Sequence, residues 1–284
     1  MVYYTSTKMK HLLQYDRPQS MYDSEVHNYI SAILTSGENF ANDPDKLWQD
    51  FKDKFHNWIV SSKLNTVTGL ESFPDRDIIA GVTQYIDDIH QMKDNVCVLE
   101  NEYRYHQRLY GDKLVVRNFH TFQSGDNLIM SMPFPYYGDI HVDSDSILSK
   151  CNEIGVNVHI DACWYGCSRD IVFNFDQPCI KSIGFSLSKA LGLGANRIGV
   201  RYCRERWKGP VSIINEFNMN SQIIVWMGTK FIDKFGVDFW QNKYGDAYKQ
   251  ICEEYNLIPT RAIHLAWDNG RPCGVRPLLR KLIK

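Results

Sequence analysis

From Asp77 to Gly199 short apolar runs alternate with helical patterns. Asp77–Ala80, Val96–Leu99, Leu114–Val116, Asn127–Met132, Val156–Ile160 and Ile180–Phe185 read as buried strands. Between them, Gln84–Met92 and Ser144–Ile154 have helical spacing. The second carries Ile147, Leu148 and Cys151 on one face and is ended by Gly155. Strands separated by helices imply a mostly parallel sheet with helices on both faces, an α/β domain of three layers, α/β/α. Ligands on such sheets collect at the carboxyl ends of the strands. The residues just past each run are therefore where chemistry is to be sought.

Those residues form a set. Asp161 ends the run Val156–Ile160, and a carboxylate there needs a partner or its burial is costly. Ser186-Leu187-Ser188-Lys189 follows the next run, with Phe185, Leu187, Ala190 and Leu191 around the lysine to desolvate it. Arg197 lies in the glycine-rich stretch Gly192–Gly199, where its fork can hold a phosphate through two donors. Gly81, Val82 and Thr83 form a tight loop between strand and helix, where backbone N–H groups and the helix dipole favour an anion. An acid for a ring nitrogen, a lysine for an aldehyde, and hydroxyls with an arginine for a phosphate are what pyridoxal 5'-phosphate requires. A dinucleotide reading of Gly192–Gly199 does not suit, because Arg197 stands where the third glycine belongs and no strand-turn-helix unit opens at Gly192.

On these motifs the chain resembles the fold-type-I pyridoxal-phosphate enzymes, the aspartate-aminotransferase superfamily. Ser186–Gly199 looks like the family's Ser-x-x-Lys segment with its phosphate arginine, and His159–Gly166 like the segment bearing the pyridine-nitrogen aspartate, close to the His-Val-Asp-Ala-Ala-Trp form of the decarboxylase branch. The resemblance implies a Schiff base at Lys189, Asp161 on the pyridine nitrogen, Cys163 on the ring face, and phosphate contacts from Gly81, Val82, Thr83, Ser186, Ser188 and Arg197. It also implies an aromatic stacked on the ring. Tyr103 is the candidate and Tyr105 the second, and the alternative for either is a tyrosine lining the helix–sheet interface. Arg276 matches a substrate-carboxylate arginine, or else belongs to a solvated cationic tail with Arg271 and Arg280. Two positions depart from the family. Pro135 stands where an asparagine, and Trp164 where a tyrosine, would bond the cofactor's phenolic oxygen.

The family then implies an N-terminal helical segment over 1–75, a cofactor-binding large domain over 76–205 and a reduced C-terminal small domain over 206–284. It implies an amino acid or amine as substrate, amino transfer as the first chemistry and decarboxylation or another lyase reaction as the alternative, and a homodimer. A catalytically retired binding or structural protein is the rival from another class.

The rest of the chain sets limits. Its 284 residues have a formal net charge of −1, which gives no broad field toward nucleic acid or an anionic membrane. No apolar run is long enough to span a bilayer, and Met1–Ser20 lacks a secretory core, so a cytoplasmic protein is expected. The eight cysteines form no C-x-x-C pair and have no metal-ligand spacing; they read as reduced, packed hydrophobes. Near the start, Tyr22–Leu34 has helical spacing. So does a span capped by Asp43 with Pro44 first, whose stripe of Trp48, Phe51, Phe55, Trp58 and Ile59 suits a core or a dimer face. Asn65–Pro74 reads as turn. Pro210–Phe231 and Phe239–Tyr255 read as helices, and Asn269-Gly270 as a hairpin turn.

Overall fold

The structure is a computed structural model, which describes residues 10–15, 19–38 and 44–282. Helix α1 (Ser24–Thr35) starts where the Asp23 carboxylate accepts the Val26 N–H at 3.0 Å. Helix α2 (Pro44–Val60) follows; the expected Asp43 cap lies outside the described residues. The aromatic stripe of α2 is buried in the core. Strand β1 (Thr66–Thr68) occupies part of the span expected to be turn. Then come β2 (Asp75–Ile79), α3 (Val82–Met92), β3 (Val96–Leu99), α4 (Arg104–Tyr110), β4 (Val115–Arg117), β5 (Asn127–Ser131), α5 (Ser144–Ile154) and β6 (Asn157–Asp161). Gly155, at φ +78°, closes α5 as its position implies. Strand β7 (Val172–Asn174) pairs in parallel with β1, which is what draws Thr66–Thr68 out of a turn. Strand β8 (Ile180–Ser186) runs into the single turn α6 (Leu187–Ala190), and β9 (Gly199–Cys203) returns.

Seven strands form one sheet in the order β2-β9-β8-β6-β5-β3-β4. β4, β3, β5, β6 and β8 are parallel, while β9 runs antiparallel to both of its neighbours. One face is covered by α1, α2, α5 and a later helix, α8 (Gln222–Lys234), with Phe51, Phe55 and Trp58 in one apolar cluster with Ile160, Ile183 and Phe185. The other face carries α3, whose Tyr85, Ile86 and Ile89 cluster with Ile79, Val98 and Ile129. The three layers expected from the alternation of strand and helix are there.

The remaining elements are α7 (Pro210–Glu216), α8 (Gln222–Lys234), α9 (Phe239–Tyr255), β10 (Ile258–Pro259), β11 (Leu265–Asp268), β12 (Arg271–Gly274) and α10 (Arg276–Leu282). The single helix expected over Pro210–Phe231 is two. Asn218 takes φ +50°, a left-handed conformation that asparagine tolerates and a helix does not propagate. Strands β11 and β12 form the hairpin turned by Asn269 (φ +48°) and Gly270 (φ +77°). With α9 and α10 they bury a separate apolar cluster around Trp240, Tyr248 and Leu279. Among the described residues no helix is long and apolar enough to cross a membrane.

Candidate active site

Sheet register gathers the candidate residues at one edge. Ser131 of β5 pairs with Asp161 of β6, and Asp161 with Gly184 of β8. Two residues on, Ser186 pairs with Gly199 of β9, and Gly199 with Ile79 of β2. The carboxyl end of β2 feeds Gly81 and α3, so the segments that carried the sequence motifs meet here.

The anion cradle is built from three of them. Gly81 has φ +77° and ψ 167°, a region essentially reserved for glycine, and it is the residue before α3. A Cβ placed on it would come within 2.9 Å of Arg197 Nη2 and 3.2 Å of Ser188 Oγ. Arg197 Nε donates to the Ala80 carbonyl at 3.1 Å, and its Nη2 donates to Thr83 Oγ1. Ser186 caps α6, its Oγ accepting the Ser188 N–H at 3.0 Å and lying 2.9 Å from Ser188 Oγ. Val82 and Thr83, expected in a loop, are the first turn of α3. This places their unpaired N–H groups at the positive end of the helix beside an exposed guanidinium. The Val82 side chain is buried, which leaves its backbone as the part that can face a ligand.

Asp161 lies deeper. It is buried, it accepts the Cys163 N–H at 2.8 Å, and no lysine, arginine or histidine is within ion-pair distance of it among the described residues. Burial pushes its carboxyl up to about 6, against the Cys163 hydrogen bond and the charge of Lys189. Lys189 is half-buried on α6 and likewise has no carboxylate at ion-pair distance among the described residues; its charge is felt by Asp161, Cys163, Cys167 and His264. The backbone around it is fixed. Its carbonyl accepts Trp240 Nε1–H at 3.1 Å, and Gly166 packs so closely on Ala190 that a Cβ would meet Ala190 Cβ at 2.5 Å.

Three residues join this group without having been marked in the sequence. Glu102, in the turn after β3, is buried. It accepts hydrogen bonds from Ser131 N (2.8 Å), Ser131 Oγ (2.5 Å) and Tyr103 N (2.7 Å). Burial pushes its carboxyl up to about 7 against those bonds, and the charge of Asp161 adds to the rise. Nothing in Glu100-Asn101-Glu102 distinguishes the one acid that ends up buried. The third is His264, on the approach to β11. Its ring meets Trp164 edge-on at 4.2 Å, and its Nδ1 lies 3.6 Å from Cys167 Sγ. Its Nε2 is buried with no hydrogen-bond partner among the described residues. Burial and then Lys189 lower its pKa to about 3, so the ring is neutral.

Other sequence candidates stand further out. Tyr103 is 37% exposed and stacks on Tyr105, with ring centroids 5.9 Å apart. Tyr105 donates to Asp87 at 2.7 Å. Arg276 begins α10, where Nη1 donates to Gln19 at 2.9 Å.

No family model matches the chain, and no curated protein matches it by sequence. Solved structures do match. The PLP-bound C-S lyase from Staphylococcus hominis superimposes with a TM-score of 0.59 over 94% of this chain and 77% of that one, at 11% identity. Tyrosine aminotransferase from Leishmania infantum gives 0.58 over 88% and 79%, at 12% identity. Alanine aminotransferase from Pyrococcus furiosus gives 0.55 over 87% and 72%, also at 12%. The chain has the fold of these proteins.

Proposed function

We propose that the chain binds pyridoxal 5'-phosphate and acts on an amino acid or amine, with amino transfer as its chemistry. One observation carries the reading. A buried carboxylate and a lysine, each without an oppositely charged partner at ion-pair distance among the described residues, lie with an anion cradle at the carboxyl edge of a sheet whose fold is that of pyridoxal-phosphate enzymes. The residues fit the cofactor. Asp161 would accept the ring N–H, which is the partner its burial demands. Gly81, Thr83, Ser188 and Arg197 would hold the phosphate, with Ser186 fixing Ser188. Lys189 would hold the aldehyde carbon.

Bound there, the cofactor supplies an aldehyde that takes up amines and a ring that spreads negative charge. The chain's own residues do the rest. Lys189 would hold and move a proton at its Nζ. Asp161, ionised, would hold a proton on the ring nitrogen. Glu102 and Ser131 hold the adjoining wall, and Trp164 with His264 closes the side toward the C-terminal hairpin.

The test is direct. The protein is mixed with pyridoxal 5'-phosphate, reduced with borohydride and digested. The expected result is an absorption band near the visible edge that reduction removes, and a pyridoxyl mass adduct confined to the Lys189 peptide. Lys189→Ala should show neither. Adducts spread over surface lysines, equal in Lys189→Ala, would overturn the reading. Conversion of the band by an amino-acid donor then separates amino transfer from binding alone.

A further inference from the structure

The opposite end of the same sheet carries a second cavity, of about 360 Å³, within the size range of small-molecule sites. It opens where the strands begin. Asn127 starts β5, Asn157 starts β6, Lys181 is the second residue of β8, and Arg204 follows the end of antiparallel β9. Asn157 and Asp161 are the two ends of β6, so roughly 13 Å of strand separates this cavity from the candidate active site.

Its lining is charged out of proportion to the chain. Lys93, Lys181, Arg204, Arg206 and Lys208 face one acid, Glu205, in a protein whose formal net charge is −1. The arginines have carboxylates: Arg204 reaches Asp176 at 2.9 Å and Arg206 reaches Glu216 at 3.5 Å. The three lysines have none within ion-pair distance among the described residues. Lys181 Nζ donates to the Pro178 carbonyl at 2.9 Å, and Lys93 Nζ stands 4.5 Å from the centre of the Trp207 ring.

The inner wall is a buried, mutually bonded row. Tyr85 Oη and His159 Nδ1 each lie 2.7 Å from Ser182 Oγ, and His159 Nε2 lies 3.2 Å from Asn127 Oδ1. Asn127 Nδ2 donates to the Asp94 carbonyl at 2.8 Å, which orients that amide and leaves its Oδ1 to accept from His159. Trp207 meets His159 edge-on at 5.5 Å, with Arg201 4.6 Å from its ring centre. Burial and then the charges of Lys93, Lys181 and Arg201 lower the His159 pKa to about 3, so the wall is neutral and the field across it positive.

A fixed wall, a half-open cleft and cations without carboxylate partners together describe a site for a compact polyanion. Unpaired lysines act as point charges, which suits phosphate oxygens; planar carboxylates are better served by a free arginine fork, and both arginines here are engaged. We infer that this cavity binds a small phosphorylated metabolite. The inference does not depend on the proposed function, since none of its residues belongs to the cofactor site.

Pyrophosphate serves as the probe, followed by titration calorimetry of the full chain at physiological salt. The Arg197→Ala background weakens the anion cradle at the other end of the sheet and isolates the second site. In that background pyrophosphate is expected to bind one site. Lys181→Ala should weaken it about tenfold, the order of one charge-assisted contact, and Lys181→Ala with Lys208→Ala further. Lys249→Ala, on α9 away from the cavity, should bind as the background does. Lys208 and Lys249 are exposed, so their variants are expected to fold, which circular dichroism checks. Loss of all binding in Arg197→Ala, an effect of Lys249→Ala equal to that of Lys181→Ala, or wild-type affinity in both cavity variants would each overturn the assignment. Citrate bound more tightly than pyrophosphate would overturn the choice of phosphate.

Discussion

Two acidic clusters lie in one row of the sheet and differ in a single respect. Asp161 on β6, Gly184 on β8, Arg201 on β9 and Asp77 on β2 are successive partners in register. At the β2 side, Arg201 is fully buried between Asp77 and Asp88 and also donates to Ser212 Oγ at 2.8 Å. That cluster has its cation. At the β6 side, Asp161 and Glu102 are buried beside each other with no cation at ion-pair distance among the described residues. Tyr85 separates the two. Its ring covers Gly184 so closely that a Cβ there would meet Tyr85 Cδ1 at 2.5 Å, and Arg201 is already committed on the far side. Buried acids with their partner built in hold elements together. Buried acids left without one are candidates to face a ligand.

The comparison breaks most visibly at Arg201. Arg201→Met leaves Asp77 and Asp88 buried and unpaired, and should cost about 3–5 kcal/mol in urea unfolding. A loss near zero would mean that the cluster is not closed as described. Asp161→Asn should do the reverse. The Asp161 carboxyl is raised from 3.8 to about 6, so the stability it contributes is complete below its unfolded value and gone once the pH passes its folded one. At neutral pH the ligand-free variant should therefore be more stable by about 3 kcal/mol, with most of that gain gone near pH 4, while retention of pyridoxal 5'-phosphate on gel filtration falls. Destabilisation at pH 7 would make Asp161 a structural residue like Asp77. Glu102→Gln sharpens the same point through a slope. Glu102 is raised from 4.5 to about 7, so wild type should lose stability relative to the variant, by about 2 kcal/mol between about pH 5 and 7. Equal slopes in thermal melts across that range would remove Glu102 from the charged group.

Much of the fold could be read in order along the chain. Helix α9 and strand β3 have the bounds their spacing implies, and Asp161, Lys189 and Arg197 are where strand ends deliver them. Errors fall where a distant segment decides. Thr66–Thr68 is a strand because β7 lies beside it, and the span after Pro210 breaks at Asn218 although its apolar spacing continues. Glu102 illustrates the limit within the site. As one of two glutamates in a polar turn, it is distinguished only by Ser131, which a different strand places against it.

The order of short apolar runs, and the polar residue that follows each, determined the layered sheet and three residues of the candidate site, because strand formation and strand-end chemistry are properties of local sequence. Whether a charge would be paired was decided by tertiary structure alone. Arg201 meets its acids across three elements, Asp161 meets no cation at ion-pair distance among the described residues, and the lysines of the second cavity converge from separate segments. Burial and ion pairing depend on which side chains come within a few ångströms, and that distance is set by packing, not by position in the chain.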